Sequence, residues 1–216
     1  CIENNLPQVG FFGNVAGATI QHLYIGNSVF RGNNYVAAIV GSVNPGHTSD
    51  TMAMPSIITA NVGHDNTIIS GAYVVGTIAA VVNDTTVDVG AKGGKRMRTG
   101  NIIDGNTVVN CDLVGTAMSA GGLVGVVNGV NTITNNYASV NTTKMQYVSE
   151  LGGVSAVTKE ANGAKAPKRN TKDASTQSLI ANNYVHIITN NSAMHAGGLV
   201  GNASNTRMEN NYAYGE

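Results

Sequence analysis

Along the chain, apolar runs of about four to six residues alternate with clusters of Gly, Asn and Asp. Inside the runs, as in Val36–Val43, Val74–Val82 and Ile187-Ile188, apolar and polar positions nearly alternate and β-branched residues dominate. That period of two predicts strands, and no segment carries the 3.6-residue spacing of an amphipathic helix.

The runs repeat. Ala120-Gly121-Gly122-Leu123-Val124-Gly125 recurs unchanged as Ala196-Gly197-Gly198-Leu199-Val200-Gly201, with weaker copies at Gln8–Gly13, Ala37–Gly41, Val75–Ala80 and Leu151–Ala156. A second string follows each copy: Thr19–Ile25, Ser56–Val62, Thr107–Leu113, Thr132–Ala138, Leu179–Val185 and Arg207–Ala213. Aligned, the second strings give an apolar column of Ile20, Ile57, Val108, Ile133, Ile180 and Met208. A polar column of His22, Thr59, Asn110, Asn135, Asn182 and Asn210 runs beside it. Equivalent residues in such columns lie above one another, and the Asn column predicts a ladder of side-chain amides at a turn. Glycine in the first string is expected where the core is too narrow for a side chain, because Ala replaces it at Ala80 and Ala156 and tolerates positive φ poorly.

Spacing within the repeat is uneven in an informative way. Gly13 to Ile20, Gly125 to Ile133 and Gly201 to Met208 are short, whereas the corresponding stretches in repeats two, three and five are long. Insertions at 44–55, 83–105 and 159–177 therefore enter at one corner of the unit and should cluster in space. A unit of about 28–30 residues with short strands and Gly/Asn turns is one coil of an all-β, parallel β-helix-like solenoid. Six coils stacked at about 4.8 Å form the expected single domain over residues 1–216, read as a segment of a longer repeat protein.

Composition agrees. The chain of 216 residues holds 27 Gly and 28 Asn, 42% hydrophobic residues and 11% charged residues, a poor recipe for helices and for disorder alike. Twelve basic residues balance twelve acidic ones, so no whole-molecule attraction to nucleic acid or anionic membrane is implied. No apolar run is long enough to span a bilayer as a helix. Cys1 and Cys111 form neither a disulfide framework nor a zinc site, and no metal or cofactor is expected. A cysteine at position 1 suits a lipid anchor, but structured sequence begins almost at once at Val9–Gly13, which disfavours a tether.

At Ala120–Gly125 with Thr132–Ala138, and again at Ala196–Gly201 with Arg207–Gly215, the chain resembles the GLUG-motif repeat family. The resemblance implies an extracellular or cell-surface β-solenoid of bacterial origin, of the kind found in adhesins and in proteins associated with immunoglobulin A cleavage. It supplies no catalytic residue.

The insertions are where contact chemistry falls. Nine of the twelve basic residues lie in the second and third, among them Lys92, Lys95, Arg96, Arg98, Lys165, Lys168 and Arg169. Such a patch suits the sulfate, carboxylate or phosphate of an acidic glycan, a teichoic-type polymer or another polyanion, and host or bacterial glycans or surface proteins are the expected partners. The bland alternative is a solvated loop, since Asp84, Asp88, Asp104, Glu160 and Asp173 dilute it. The loops lack the aromatic interleaving that single-stranded nucleic acid requires. A carbohydrate-active solenoid enzyme is the rival class. It needs two of Asp84, Asp88, Asp104, Asp112 and Glu160 to converge in a groove, while Asp112 alone within the string columns reads as a turn residue. The column of Tyr24, Tyr137, Tyr184 and Tyr212 reads as a stacked packing ladder rather than a sugar platform.

Overall fold

The computed structural model describes residues 2–3, 7–49, 52–70, 73–89, 95–117, 119–146, 177–188, 199–203 and 205–215, with backbone alone at 2–3, 48–49, 69–70, 87–89, 95–97 and 145–146. The fold is an all-β solenoid whose parallel strands stack in register on four faces.

Six strands stack on the first face: Thr19–Gln21, Ile57–Thr59, Ile102–Asp104, Thr132–Thr134, Ser178–Ala181 and Thr206–Glu209. They define coils one to six. The second face carries Tyr24–Gly26 and Val29–Gly32, Val62–His64 and Thr67–Ser70, Thr107–Thr116, Tyr137–Gln146, Tyr184–Ile188 and Tyr212–Gly215, with Ile2–Glu3 beside Val29–Gly32. Gln8–Val9, Tyr35–Val36, Val74–Gly76 and Ser119–Gly121 make the third face. Phe12–Ala16, Val40–Asn44, Ala79–Val82, Val124–Val127 and Val200–Ala203 make the fourth.

The core is a set of apolar columns down the axis. On the first face Ile58, Ile103, Ile133 and Ile180 are all 0% exposed and sit register on register with Ile20. Each such side chain is worth about 1.5–3 kcal/mol in burial. This register corrects the sequence alignment at two coils. In coil two the inward residue is Ile58, not Ile57; two adjacent Ile look alike in sequence, and only one can face the core. In coil three the inward residue is Ile103, and Val108 belongs one corner later, opposite Ala138. With these assignments Ile20 to Gly41, Ile58 to Ala80, Ile103 to Gly125 and Ile180 to Gly201 span 21, 22, 22 and 21 residues.

Five-residue steps explain the slip. Ile20, Ile25 and Phe30 in coil one, and Ile103, Val108 and Leu113 in coil three, point inward at intervals of five. A left-handed residue turns the chain between them. At the first corner these are His22, Ala60, Gly105, Asn135, Asn182 and Asn210, with φ between 50° and 62°. At the second they are Asn27, Asp65 and Asn110. Asn and Asp adopt this region more readily than other side chains do. Among the described residues, coils four to six lack the second left-handed residue, and the register of Thr107–Thr116 against Tyr137–Gln146 accordingly shifts between Val108 and Cys111, around Asn110.

The exposed Asn column is therefore a column of turn residues, and the amide ladder stands one position later. Asn61, Asn106, Asn136 and Asn183 are buried, and each donates Nδ2–H to the Oδ1 of the next, ending on Asn211, at 2.9 Å. The same oxygens accept the backbone N–H of the preceding coil at 3.0–3.1 Å. A parallel ladder runs through Ser56, Asn101, Asn131 and Ser178. These side chains satisfy backbone donors that the corners would otherwise bury unpaired.

The glycines of the repeated string serve close approach, as expected. The fourth-face column is Gly13, Gly41, Ala80, Gly125 and Gly201, and none of its glycines has positive φ. A Cβ on Gly201 would lie 2.6 Å from the Gly125 carbonyl oxygen.

Candidate contact site at the insertion corner

Two of the three insertions are β-hairpins. The first pairs Gly46–Ser49 with Met52–Met54 and the second pairs Thr85–Val89 with Lys95–Thr99, both antiparallel. The third, 159–177, lies outside the described residues.

Their bases repeat a common construction. Asn44 ends one fourth-face strand, Asn83 and Asn128 directly follow the next two, and the three side chains form a third, half-exposed ladder. Asn128 donates to Asn83 at 2.9 Å, Asn83 to Asn44 at 3.0 Å, and Asn44 to Asn14 at 2.7 Å. The carbonyl of each corner Asn is then clasped by the residue that re-enters the first face. Ser56 Oγ–H reaches Asn44, Asn101 Nδ2–H reaches Asn83, and Asn131 Nδ2–H reaches Asn128. One hydrogen bond thus closes the two-residue turn Gly129-Val130 in coil four, a hairpin of 46–54 in coil two and one of 85–99 in coil three. Insertions of unequal length are tolerated because their two ends meet identically. The second insertion is shorter than its sequence limits of 83–105, since Ile102–Asp104 already belongs to the first face. The signal for this base was present in the sequence as Val43-Asn44, Val82-Asn83 and Val127-Asn128.

The hairpins are neighbours. Met52–Met54 lies against Thr85–Val89, and His47 Nε2 meets Thr85 Oγ1 at 3.3 Å. Of the seven basic residues singled out by sequence, Arg98 is engaged at the hairpin base, where its Nε–H donates to Asp84 at 2.6 Å. Lys95 and Arg96 lie on the outer strand opposite Val89 and Asp88. Lys92, Lys165, Lys168 and Arg169 fall outside the described residues, as do Cys1, Glu160 and the Leu151–Ala156 string.

Of the acids whose side chains are described, Asp65, Asp84, Asp104 and Asp112 are dispersed, each with its own partner. Asp84 holds Arg98. Asp104, on the first face, accepts from Thr134 Oγ1 at 2.6 Å and Asn135 Nδ2 at 2.8 Å. Asp112 is a strand residue on the second face, not a turn residue, and pairs with Lys144 Nζ at 2.9 Å. Asp65 accepts from His64 Nδ1 at 2.8 Å, and that hydrogen bond holds its carboxyl below the usual range. Burial pushes the Cys111 thiol up to about 11. Among the described residues no cluster of His, Cys, Asp and Glu could hold a metal ion, and no helix is long and apolar enough to cross a membrane.

The tyrosines of coils four to six stack on one another. Tyr137 and Tyr184 are 5.4 Å apart at 7°, and Tyr184 and Tyr212 are 5.1 Å apart at 15°. Ring faces meet ring faces, so the column packs the coils together and leaves the faces of Tyr184 closed to a sugar.

No family model, curated protein or solved structure matches this chain.

Proposed function

We propose that the chain is a non-catalytic β-solenoid stalk of a secreted or cell-surface bacterial protein, with adhesive contact made at the insertion corner and acidic glycan as the ligand. The observation that carries this reading is the pair of hairpins raised side by side from one Asn-laddered corner. A rod built of repeated coils supplies reach, and the corner supplies a place to vary sequence without disturbing the rod. Lys95 and Arg96 lie beyond the Asp84–Arg98 pair, on the outer strand of the second hairpin. Basic groups there suit carboxylate and sulfate on an extended polymer. The dispersal of Asp84, Asp104 and Asp112, each with its own partner, speaks against a carbohydrate-active enzyme built on them.

An array rich in acidic glycans, probed at low and physiological salt, tests the proposal. Binding should weaken with salt and fall in a Lys95→Glu/Arg96→Glu variant, and again when Lys168→Glu and Arg169→Glu are added. No binding anywhere on the array, or binding indifferent to these changes, would overturn it.

A further inference from the structure

The interface between successive coils is made five times along the first face, and it has a direction. Leu23, Asn61, Asn106, Asn136 and Asn183 each donate a backbone N–H to the side-chain oxygen of the Asn one coil further on. Their carbonyls accept the N–H of Val62, Thr107, Tyr137, Tyr184 and Tyr212, also one coil on, at 2.8–2.9 Å.

Asn211 is the sixth member, and its rung is half made. Its Oδ1 receives Asn183, and its Nδ2 donates to the Ile180 carbonyl at 2.7 Å. Among the described residues nothing meets its backbone N–H or carbonyl. Asn61, Asn106, Asn136 and Asn183 each spend an Nδ2 hydrogen on the next Asn, and that second bond is also missing here. The core is open at the same end. Ile20 and Ile25 in coil one are 8% and 4% exposed, whereas Ala213, in register with the fully buried Val185, is exposed. Tyr212 is 54% exposed, with one ring face on Tyr184 and the other turned outward.

We propose that the edge formed by Thr206–Glu209 and Tyr212–Gly215 docks a further parallel strand segment of this chain's own coil chemistry, with an Asn opposite Asn211 and a flat ring opposite Tyr212. The docking continues an interface the chain already builds. The incoming Asn oxygen takes the N–H and Nδ2–H of Asn211, and the backbone N–H of the incoming ring residue takes its carbonyl. This is strand addition with the specificity of a side-chain ladder. The first coil of a second copy is the wrong occupant. It places Leu23 where the Asn is needed, and Leu23 is packed against its own core. Ala18 likewise stands where the second ladder would continue.

The test is a fluorescein-labelled peptide spanning Asn205–Gly215, capped at both ends and titrated with the whole chain by anisotropy. Saturable binding is expected. The same peptide carrying Asn211→Leu should bind at least about tenfold more weakly, since it leaves buried donors unmet. Ala213→Lys in the protein puts a charge on the open core end and should abolish binding, with circular dichroism and melting as for the parent chain. Absence of binding, equal binding of the two peptides, or binding indifferent to Ala213→Lys would each overturn the proposal. Self-association of the chain in sedimentation, removed by Ala213→Lys, would assign the edge to a second copy instead. The peptide comparison stands whether or not the protein variant folds.

Discussion

Leu123 donates its backbone N–H to the Leu199 carbonyl at 2.9 Å, although 76 residues separate them. They occupy the same position in the two identical strings Ala120–Gly125 and Ala196–Gly201, and Val124 and Val200, the next residue of each string, are register partners on the fourth face. On the first face a whole coil, that of Ser178–Ala181, lies between Thr132–Thr134 and Thr206–Glu209. The fourth face thus has one layer fewer there, and the repeated string packs against its own copy. Small residues favour this. Gly125 and Gly201 let two backbones approach to a distance no side chain would permit.

This adjacency predicts a cross-link. Val126 and Asn202 are register partners on the two strands. Neighbouring strands lie about 4.8 Å apart, within the Cα range of a disulfide, and an intervening strand would double that distance. A Val126→Cys/Asn202→Cys variant should form the bond on mild oxidation, as mapped by mass spectrometry of the digest. Failure to form it while the protein melts as the parent does would show a strand between them.

Two glycines should respond oppositely to an added methyl group. At Gly125 a Cβ would meet Val74 and the carbonyl oxygens of Ala80, at 2.7 Å, and Val75, at 2.8 Å. Gly125→Ala should cost about 1–3 kcal/mol in denaturant unfolding. Gly63 stands in the inward column between Ile25 and Val108, and a Cβ there meets nothing closer than 3.4 Å. Its φ is not positive, so Gly63→Ala should stabilise by about 0.4–1 kcal/mol.

Asp65 gives the pH dependence a sign. Its folded carboxyl titrates below the ordinary value because His64 donates to it. The interaction therefore stabilises the fold above the unfolded carboxylate range and is lost as pH falls through the lower folded value. Unfolding measured across the acid limb should be steeper for the parent than for Asp65→Asn. Identical slopes would remove the coupling.

Much of this fold is legible in the sequence, and the failures have physical causes. Period-two runs and the recurring Gly string identify a solenoid, and the constancy of one spacing beside the variability of another identifies the insertion corner. Alignment fails at Ile57/Ile58, where only register chooses the inward residue. It fails again at Ile103 and Val108 because the coil repeats internally every five residues, so a slip of five preserves both the apolar and polar columns. The buried ladder is hidden by its neighbour. Asn135-Asn136 and Asn182-Asn183 carry one Asn for left-handed φ and one for hydrogen bonding, and composition cannot tell which is which. The hairpins themselves are not foreseen, because polar, turn-rich insertions, the second of them dense in Lys, Arg and Asp, read as solvated loops. Pairing across Thr85–Val89 and Lys95–Thr99 supplies the order that their composition conceals.

Asn135 and Asn136 offer the most direct test of the central claim, that buried amides one position after the corner hold the coils in register. Asn136 Oδ1 accepts both a backbone and a side-chain N–H from Asn106, whereas Asn135 is exposed at φ 56°. Chemical denaturation of the two single variants compares them in one protein. Asn136→Leu should cost about 2–4 kcal/mol, and Asn135→Gly, which keeps the left-handed turn, should stay within about 0.5 kcal/mol of the parent. A large loss at Asn135→Gly with little at Asn136→Leu would contradict the account and return the ladder to the exposed column.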